Sequence, residues 1–317
     1  MKLEAAVIRK KLSPASLKDT WKSVKRNKYL YILFMPVLIH YILFKYLPMY
    51  GVIIAFKNYN LFKGISESPW VGLRYFEQFL DSVYFWRLIR NTLAINFYDI
   101  LLGFPAPIIL ALLLNEVTKN SFKRVVQTIS YLPHFISAVV IVSMTVNFLN
   151  PTTGLINNII ASLGFPRVEF LSDHRYFWGV FTAMNIWKNI GYGSIIYLAA
   201  LSGIDTELYE AAIVDGAGRW RQTISITLPS IAPTIIIMFL LRIGHLLEVG
   251  YESIILMYSP KIYETADVIS TYVYRRGLVD GDYSFAAAVG LFQSVIGLAL
   301  VVISNKLSKK YSETSLW

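Results

Sequence analysis

The sequence predicts an all-α, polytopic membrane protein of about six transmembrane helices, and three observations carry that prediction. Of 317 residues, 55% are hydrophobic and 16% charged, whereas roughly a quarter of an ordinary soluble domain is charged. The mean hydropathy is +0.50, and the apolar residues gather in long runs that suit membrane crossing: about 20 residues at 1.5 Å rise span about 30 Å of hydrocarbon. Basic residues exceed acidic ones by ten, and nine of the thirty lie in residues 1–28, ahead of the first run. Such an arm reads as a cytoplasmic flank rather than a nucleic-acid surface. The chain has no cysteine, which excludes disulfides, thiolate metal sites and thiol nucleophiles. The first apolar run starts late and lacks a small-residue cleavage site, unlike a cleaved signal peptide.

The first span is expected over 29–52, where Lys45 can snorkel to the headgroups. The second covers 91–114, the third 125–149 and the fourth 177–201. The fifth covers 229–257, starting on Pro229, whose missing N–H costs nothing at a helix start. The sixth covers 284–303. The outer segment 57–90, rich in aromatics and turn residues such as Pro69-Trp70-Val71-Gly72, is expected to hold a short amphipathic helix. The chain thus divides into a basic arm (1–28), either helical on the membrane or disordered, a six-helix domain (29–306), and a short tail (307–317). Six spans place both termini on one side. With the N-terminus inside, 17 basic residues lie inside and 11 outside, as the positive-inside rule requires, although without the arm the loops are nearly balanced. No internal repeat or soluble catalytic domain is visible.

Between the fourth and fifth spans, residues 202–229 read as two short helices on the cytoplasmic face. Asp205 and Thr206 are N-cap candidates, and Glu207 and Glu210 lie near the positive end of the first helix. Ala211 and Ala212 keep one face low, and Gly216 and Gly218 permit a sharp turn. Trp220 and Ile224 form the apolar side of the second helix. Physics alone leaves two readings, an interfacial connector or a docking surface for another protein.

The motif Glu210-Ala211-Ala212, with Gly216 after Asp215 and then Ile226, Leu228 and Pro229, resembles the EAA loop of ABC-importer permeases. Over roughly 29–310 the chain resembles the carbohydrate permeases of type I importers, and within them the polysaccharide or complex-oligosaccharide branch. Leu47-Pro48-Met49-Tyr50-Gly51, Ser68-Pro69-Trp70-Val71-Gly72-Leu73, Asn91-Thr92 and Tyr131-Leu132-Pro133 carry that likeness. So do Asp267-Val268-Ile269, Thr271-Tyr272-Val273-Tyr274-Arg275 and Ala288-Val289-Gly290-Leu291-Phe292-Gln293. The resemblance implies a multi-pass permease of a bacterial inner membrane with cytoplasmic termini, importing oligosaccharides by alternating access. It implies an EAA helix docked into a cleft of one of two cytoplasmic ATPase subunits, which bind ATP and Mg, so this chain would carry no cofactor. It further implies a second, related permease and an extracytoplasmic solute-binding protein. A permease for another solute, such as a peptide or modified carbohydrate, is the alternative within importers.

The chain has no G-x-x-x-x-G-K-[ST] phosphate loop, so energy must come from a partner. Its four histidines, His40, His134, His174 and His245, are scattered, and no zinc or nucleophile motif appears. An enzyme therefore lacks a catalytic constellation, and a secondary transporter lacks the expected repeated halves.

Ionisable groups within spans cost about 2.5–3.5 kcal/mol each on insertion scales and usually face a cavity or a partner. Arg242, His245, Glu248 and Glu252 recur at intervals of three, three and four, one face of a continuous helix. They are either a structural ion-pair set or a polar wall of the substrate path. The fourth span adds Asn185, Trp187, Lys188, Asn189 and Tyr192, and the second Asn96, Tyr98 and Asp99. Amides, aromatic faces and charges are what sugar hydroxyls and ring faces need.

Overall fold

A computed structural model describes residues 25–311; most of the basic arm (1–24) and the end of the tail (312–317) lie outside the described residues. Most of the described chain is helical, and extended pairing among those residues amounts to two isolated bridges, Lys57–Trp70 and Asn60–Gly64. The long elements are α1 (Lys28–Phe56), α2 (Phe85–Glu116), the bent pair α3 (Asn120–Phe135) and α4 (Ala138–Leu149), and α5 (Phe177–Ser202). They continue with α6 (Thr206–Val214), α7 (Arg219–Gly244), α8 (Tyr251–Met257) and α9 (Tyr283–Tyr311). Helices α1, α2, α7 and α9 are long and apolar enough to cross a membrane, and the bent pair makes a fifth crossing if taken as one span. Helix α5, with 26 residues, is also long enough, but Asn185, Lys188 and Asn189 dilute its hydropathy.

Two expected spans are corrected. The third is not one straight helix: α3 and α4 meet at 106°. Pro133 supplies no backbone N–H, Ile136 and Ser137 turn extended, and the Ser137 hydroxyl restarts the helix by accepting from the Val140 N–H at 3.5 Å. The fifth does not run unbroken to 257. Helix α7 stops at Gly244, residues 245–250 form a turn, and α8 resumes at Tyr251. In the outer segment 57–90, two short helices form, Gly64–Glu67 and Arg74–Leu80; the second buries Tyr75 and Phe79, with Phe79 against Phe285 and Phe292.

Three membrane helices contain a π turn, at Ile42–Tyr46, Asp99–Gly103 and Thr223–Thr227. A proline follows each two residues later: Pro48, Pro105 and Pro229. The cause is steric. Proline has no N–H and its ring collides with the carbonyl four residues back. In each case the residue before the proline donates five residues back instead, as Phe104 does to the Asp99 carbonyl at 2.7 Å. The wider turn lets the helix continue through the proline.

Helix contacts fall where side chains are small, as expected when lipid removes the hydrophobic drive for association. Gly191 of α5 is buried against α3: a Cβ there would lie 2.1 Å from the Ser130 carbonyl oxygen. Gly244 of α7 meets Gly297 and Val301 of α9, and Gly193 meets Pro107 of α2. Ala111, Tyr197, Leu201 and Ile231 fill the end of the α2–α5–α7 contact nearer α6. Within α1, by contrast, nothing from Lys28 to Met49 is buried; its last turns, Tyr50–Phe56, are what pack on α9.

Candidate functional site

A cavity of about 510 Å³ opens between α2, α5, α7 and the 245–250 turn. Helical geometry decides which polar residues of α5 reach it. Asn185 and Asn189, four apart, share the lining face with Thr182 and Gly193. The Asn189 amide donates to the Asn185 carbonyl at 3.0 Å, and its oxygen lies 3.0 Å from His134 Nδ1. Trp187, Lys188 and Tyr192 point elsewhere at 100° per residue. Trp187 is exposed, Lys188 is half-buried outside the lining, and Tyr192 stacks on His134 with ring centroids 3.9 Å apart.

Arg242, His245 and Glu248 also line the cavity, but not as one helical face with Glu252. Because α7 ends at Gly244, His245 and Glu248 sit in the turn and Glu252 lies exposed in the first turn of α8. Arg242 finds its partner across the cavity, where two of its guanidinium nitrogens reach Asp99 Oδ2, Nε at 2.7 Å. Asp99 opens the π turn of α2, and Gly103 leaves room for the carboxylate: a Cβ there would lie 2.6 Å from Asp99 Oδ1. His245 Nδ1 lies 2.9 Å from Glu248 Oε2. The sequence marks Asp99 as a polar residue of its span, but nothing in a linear reading pairs it with a residue 143 positions on.

On the opposite side of the cavity from α6, a second cluster forms that sequence reasoning missed. Asp267 is fully buried and its Oδ2 accepts from both Arg87 and Arg275, each at 2.9 Å. Thr271 donates to Oδ1 at 3.0 Å, and the Asn91 amide donates to the Asp267 backbone carbonyl at 2.9 Å. Arg90 pairs with Glu264 at 2.8 Å, which holds that carboxyl below its usual range. Burial alone would lower the Arg275 pKa; the hydrogen bond and charge of Asp267 outweigh it, and the net shift is upward. The cluster ties the start of α2 to the 264–275 segment, which explains why α2 begins six residues earlier than its apolar run. Its faint signature in the sequence is Asp267, Thr271 and Arg275 at intervals of four.

At the far end, α6 starts on Asp205, whose carboxylate accepts from the Glu207 N–H at 3.0 Å. It ends where Gly216 takes φ +75°, with the Ala217 N–H on the Ala212 carbonyl at 2.8 Å. Gly218, at φ −69°, begins the next helix in ordinary geometry. Glu210, Ala211, Asp215 and Gly216 are exposed, Ala212 is half-buried, and Ile213, Val214 and Trp220 present apolar surface beside them. The motif continues into the π turn at Ile226 and into α7 at Leu228 and Pro229. Two contacts fix this region to the bundle: Tyr209 Oη of α6 lies 2.9 Å from Thr227 Oγ1 of α7, and Arg219, the first residue of α7, pairs with Glu116 at the end of α2 at 3.4 Å.

Residues 103–313 match the family described as the inner membrane component of binding-protein-dependent transport systems. Protein LplB of Bacillus subtilis (strain 168) is 48% identical over 93% of each chain. The polygalacturonan/rhamnogalacturonan transport system permease protein YteP of the same organism is 43% identical over 92% of this chain and 91% of its own. A chain of a bacterial alginate ABC transporter, crystallised with an alginate pentasaccharide-bound periplasmic protein, superposes with TM-score 0.85 at 44% identity. That match covers 93% of this chain and 99% of the other. The chain belongs to the binding-protein-dependent transport family and is a multi-pass transmembrane permease subunit of an ABC importer.

Proposed function

We propose that this permease imports oligosaccharides released from a polysaccharide, taking them through the α2–α5–α7 cavity by alternating access. The cavity is the observation that carries the reading: amides of Asn96, Asn185 and Asn189 and an ion pair face a space of about 510 Å³, suited to hydroxyl-rich cargo. The polysaccharide systems among its relatives support the substrate class. In this reading residues 29–306 form the permease domain, and the arm (1–28), the 202–229 loop and the tail (307–317) are cytoplasmic. Glu210, Ala211, Ala212, Asp215 and Gly216 dock on one of two ATPase subunits, which hold ATP and Mg, so hydrolysis takes place outside this chain. A second, related permease completes the passage, and a solute-binding protein delivers cargo on the outer side.

The contacts of α6 supply a route for coupling. A push on α6 reaches α7 through Tyr209–Thr227, and the start of α7 passes it to α2 through Arg219–Glu116. These are the helices that carry Arg242 and Asp99 on opposite walls of the cavity. Converting an equilibrium from 1:99 to 99:1 takes about 5.5 kcal/mol of differential binding, within reach of a nucleotide-driven dimer closing on that surface. The test measures uptake of labelled oligosaccharides beside co-purification of the ATPase. Glu210→Lys and Gly216→Pro should abolish both, while the isolated chain hydrolyses no ATP. Normal uptake and co-purification in both variants would reduce the loop to an interfacial connector.

A further inference from the structure

Lys188 stands in the middle of α5 with no carboxylate on it. The helix runs from Phe177 to Ser202, so Lys188 lies about 17 Å along the axis from one end and about 21 Å from the other. Headgroups at either end are beyond the reach of its four-carbon stem. Arg242 has Asp99 and His245 has Glu248, but among the described residues none takes a hydrogen bond or ion pair from the Lys188 ammonium. A charge at that depth is retained beside a partner or water.

The direction of the side chain decides where a partner must stand. At about 100° per residue, Lys188 is turned about 120–160° from Thr182, Ile186 and Gly193, which line the cavity. It shares its face instead with Met184 and Gly191. Met184 lies in the core against which Ile136 packs, and Gly191 meets Ser130. Lys188 therefore sits between two places where α5 touches the bent α3–α4 pair. That bend makes a demand of its own at the same depth. Ile136 and Ser137 are extended, and the N–H groups of Ala138 and Val139 that open α4 have no carbonyl one turn back. Irregular backbone within a membrane is tolerated against protein or water, not against lipid. Phe135, Val139 and Ile195 on this side are exposed and apolar, which suits a packed protein contact rather than water.

We infer that this face of α5 and the α3–α4 bend meets a membrane helix of the second permease, and that this helix sets an aspartate or glutamate on Lys188. The inference rests on the reading above that a second permease completes the passage. Such a pair fixes the register of the two helices, because sliding either one leaves a charge unpaired in hydrocarbon.

The experiment uses the complex purified from source cells through a tag on this chain. A hydrophobic carbodiimide, which joins a lysine amine to a touching carboxylate as an amide and takes up the lost water as a urea, is applied to the membranes first. Crosslinked peptides are then read by mass spectrometry. A bond from Lys188 to an Asp or Glu within a span of the second permease is expected, and its absence overturns the inference. The bond should vanish in Lys188→Arg, which keeps the charge and the assembly. In Lys188→Met, co-purification of the second permease should fall at least about tenfold, the ratio that 1.4 kcal/mol produces. Exchanging the crosslinked carboxylate for its amide should then restore it. Should Lys188→Met insert poorly, the crosslink in the native complex decides alone. Undiminished assembly in Lys188→Met overturns the inference: with transport lost, the ammonium faces the passage, and with transport kept, water suffices for it. Purification without any second membrane subunit removes the two-permease reading, and this inference with it.

Discussion

Arg242 and Asp99 close an ion pair between α7 and α2 across 143 residues of sequence. The guanidinium keeps 43% of its side-chain surface and the carboxylate 19%, so the pair is partly wet and worth less than a buried one. Its position matters more than its strength, because it links α7, to which α6 is fastened through Tyr209–Thr227, with α2, which also meets the start of α7 through Arg219–Glu116.

Arg242→Ala and Asp99→Asn should each lower transport by about tenfold or more, equivalent to 1.4 kcal/mol or above, while the complex still assembles. The double variant should be no worse than either single one, since both remove the same contact. Lysine at 242 should rescue poorly, having lost the planar fork that reaches Asp99 with two nitrogens. Uptake measured beside detergent co-purification checks this. Additive losses would mean the two residues act separately, and loss of assembly in step with transport would make the pair purely structural.

Asp267→Asn should be far more damaging to the fold. It leaves Arg87 and Arg275 facing each other without their carboxylate, a change that costs about 3–5 kcal/mol at buried pairs. The melting temperature in detergent should fall sharply, and adding Arg87→Met should recover part of the loss. A variant as stable as the native chain would show that water or lipid already compensates these arginines.

Gly191→Ala should separate α3 from α5. The added methyl would sit 2.1 Å from the Ser130 carbonyl oxygen, backbone against backbone, so the cost should reach or exceed the roughly 1–3 kcal/mol of ordinary overpacking. Gly290→Ala is the control, with nothing within 4 Å of the new Cβ. Thermal unfolding of both variants decides it: equal stability would mean the α3–α5 contact is loose.

Topology is open to direct labelling because the chain has no cysteine. Arg219→Cys should react in intact cells with a membrane-permeant thiol reagent alone, whereas Ser66→Cys and Ser172→Cys should also react with an impermeant one. Outside labelling of residue 219 would reverse the orientation and end the docking role of α6.

The spans were legible in the sequence wherever one helix carries one apolar run, as in α1, α2 and α9. Asn185 and Asn189 were legible too, because a spacing of four is a local property of one helix. The elbow at Pro133 was visible as a proline, but its angle depends on Gly191 letting α3 approach α5, a long-range fact. Arg242, His245, Glu248 and Glu252 misled because their spacing suits a continuous helix, and Gly244 ends it against Gly297 instead. The pairing of Arg242 with Asp99 and the gathering of Arg87 and Arg275 on Asp267 are tertiary events with no local signal beyond each residue's polarity.

The π turn at Asp99–Gly103 uncouples the length of α2 from its facing. Elsewhere in a helix one residue corresponds to about 100° of rotation, but a one-codon deletion among Ile100, Leu101 and Leu102 falls within the π turn. A π turn holds one more residue than an α turn, so the deletion would let the turn relax to the α form and leave Phe104–Glu116 facing nearly as they do now. Ala111 would keep the face that meets Tyr197, and the cost would fall on Pro105, whose ring would collide with the carbonyl four residues back. The turn is therefore a reserve of one residue in α2, held open by the proline that follows it.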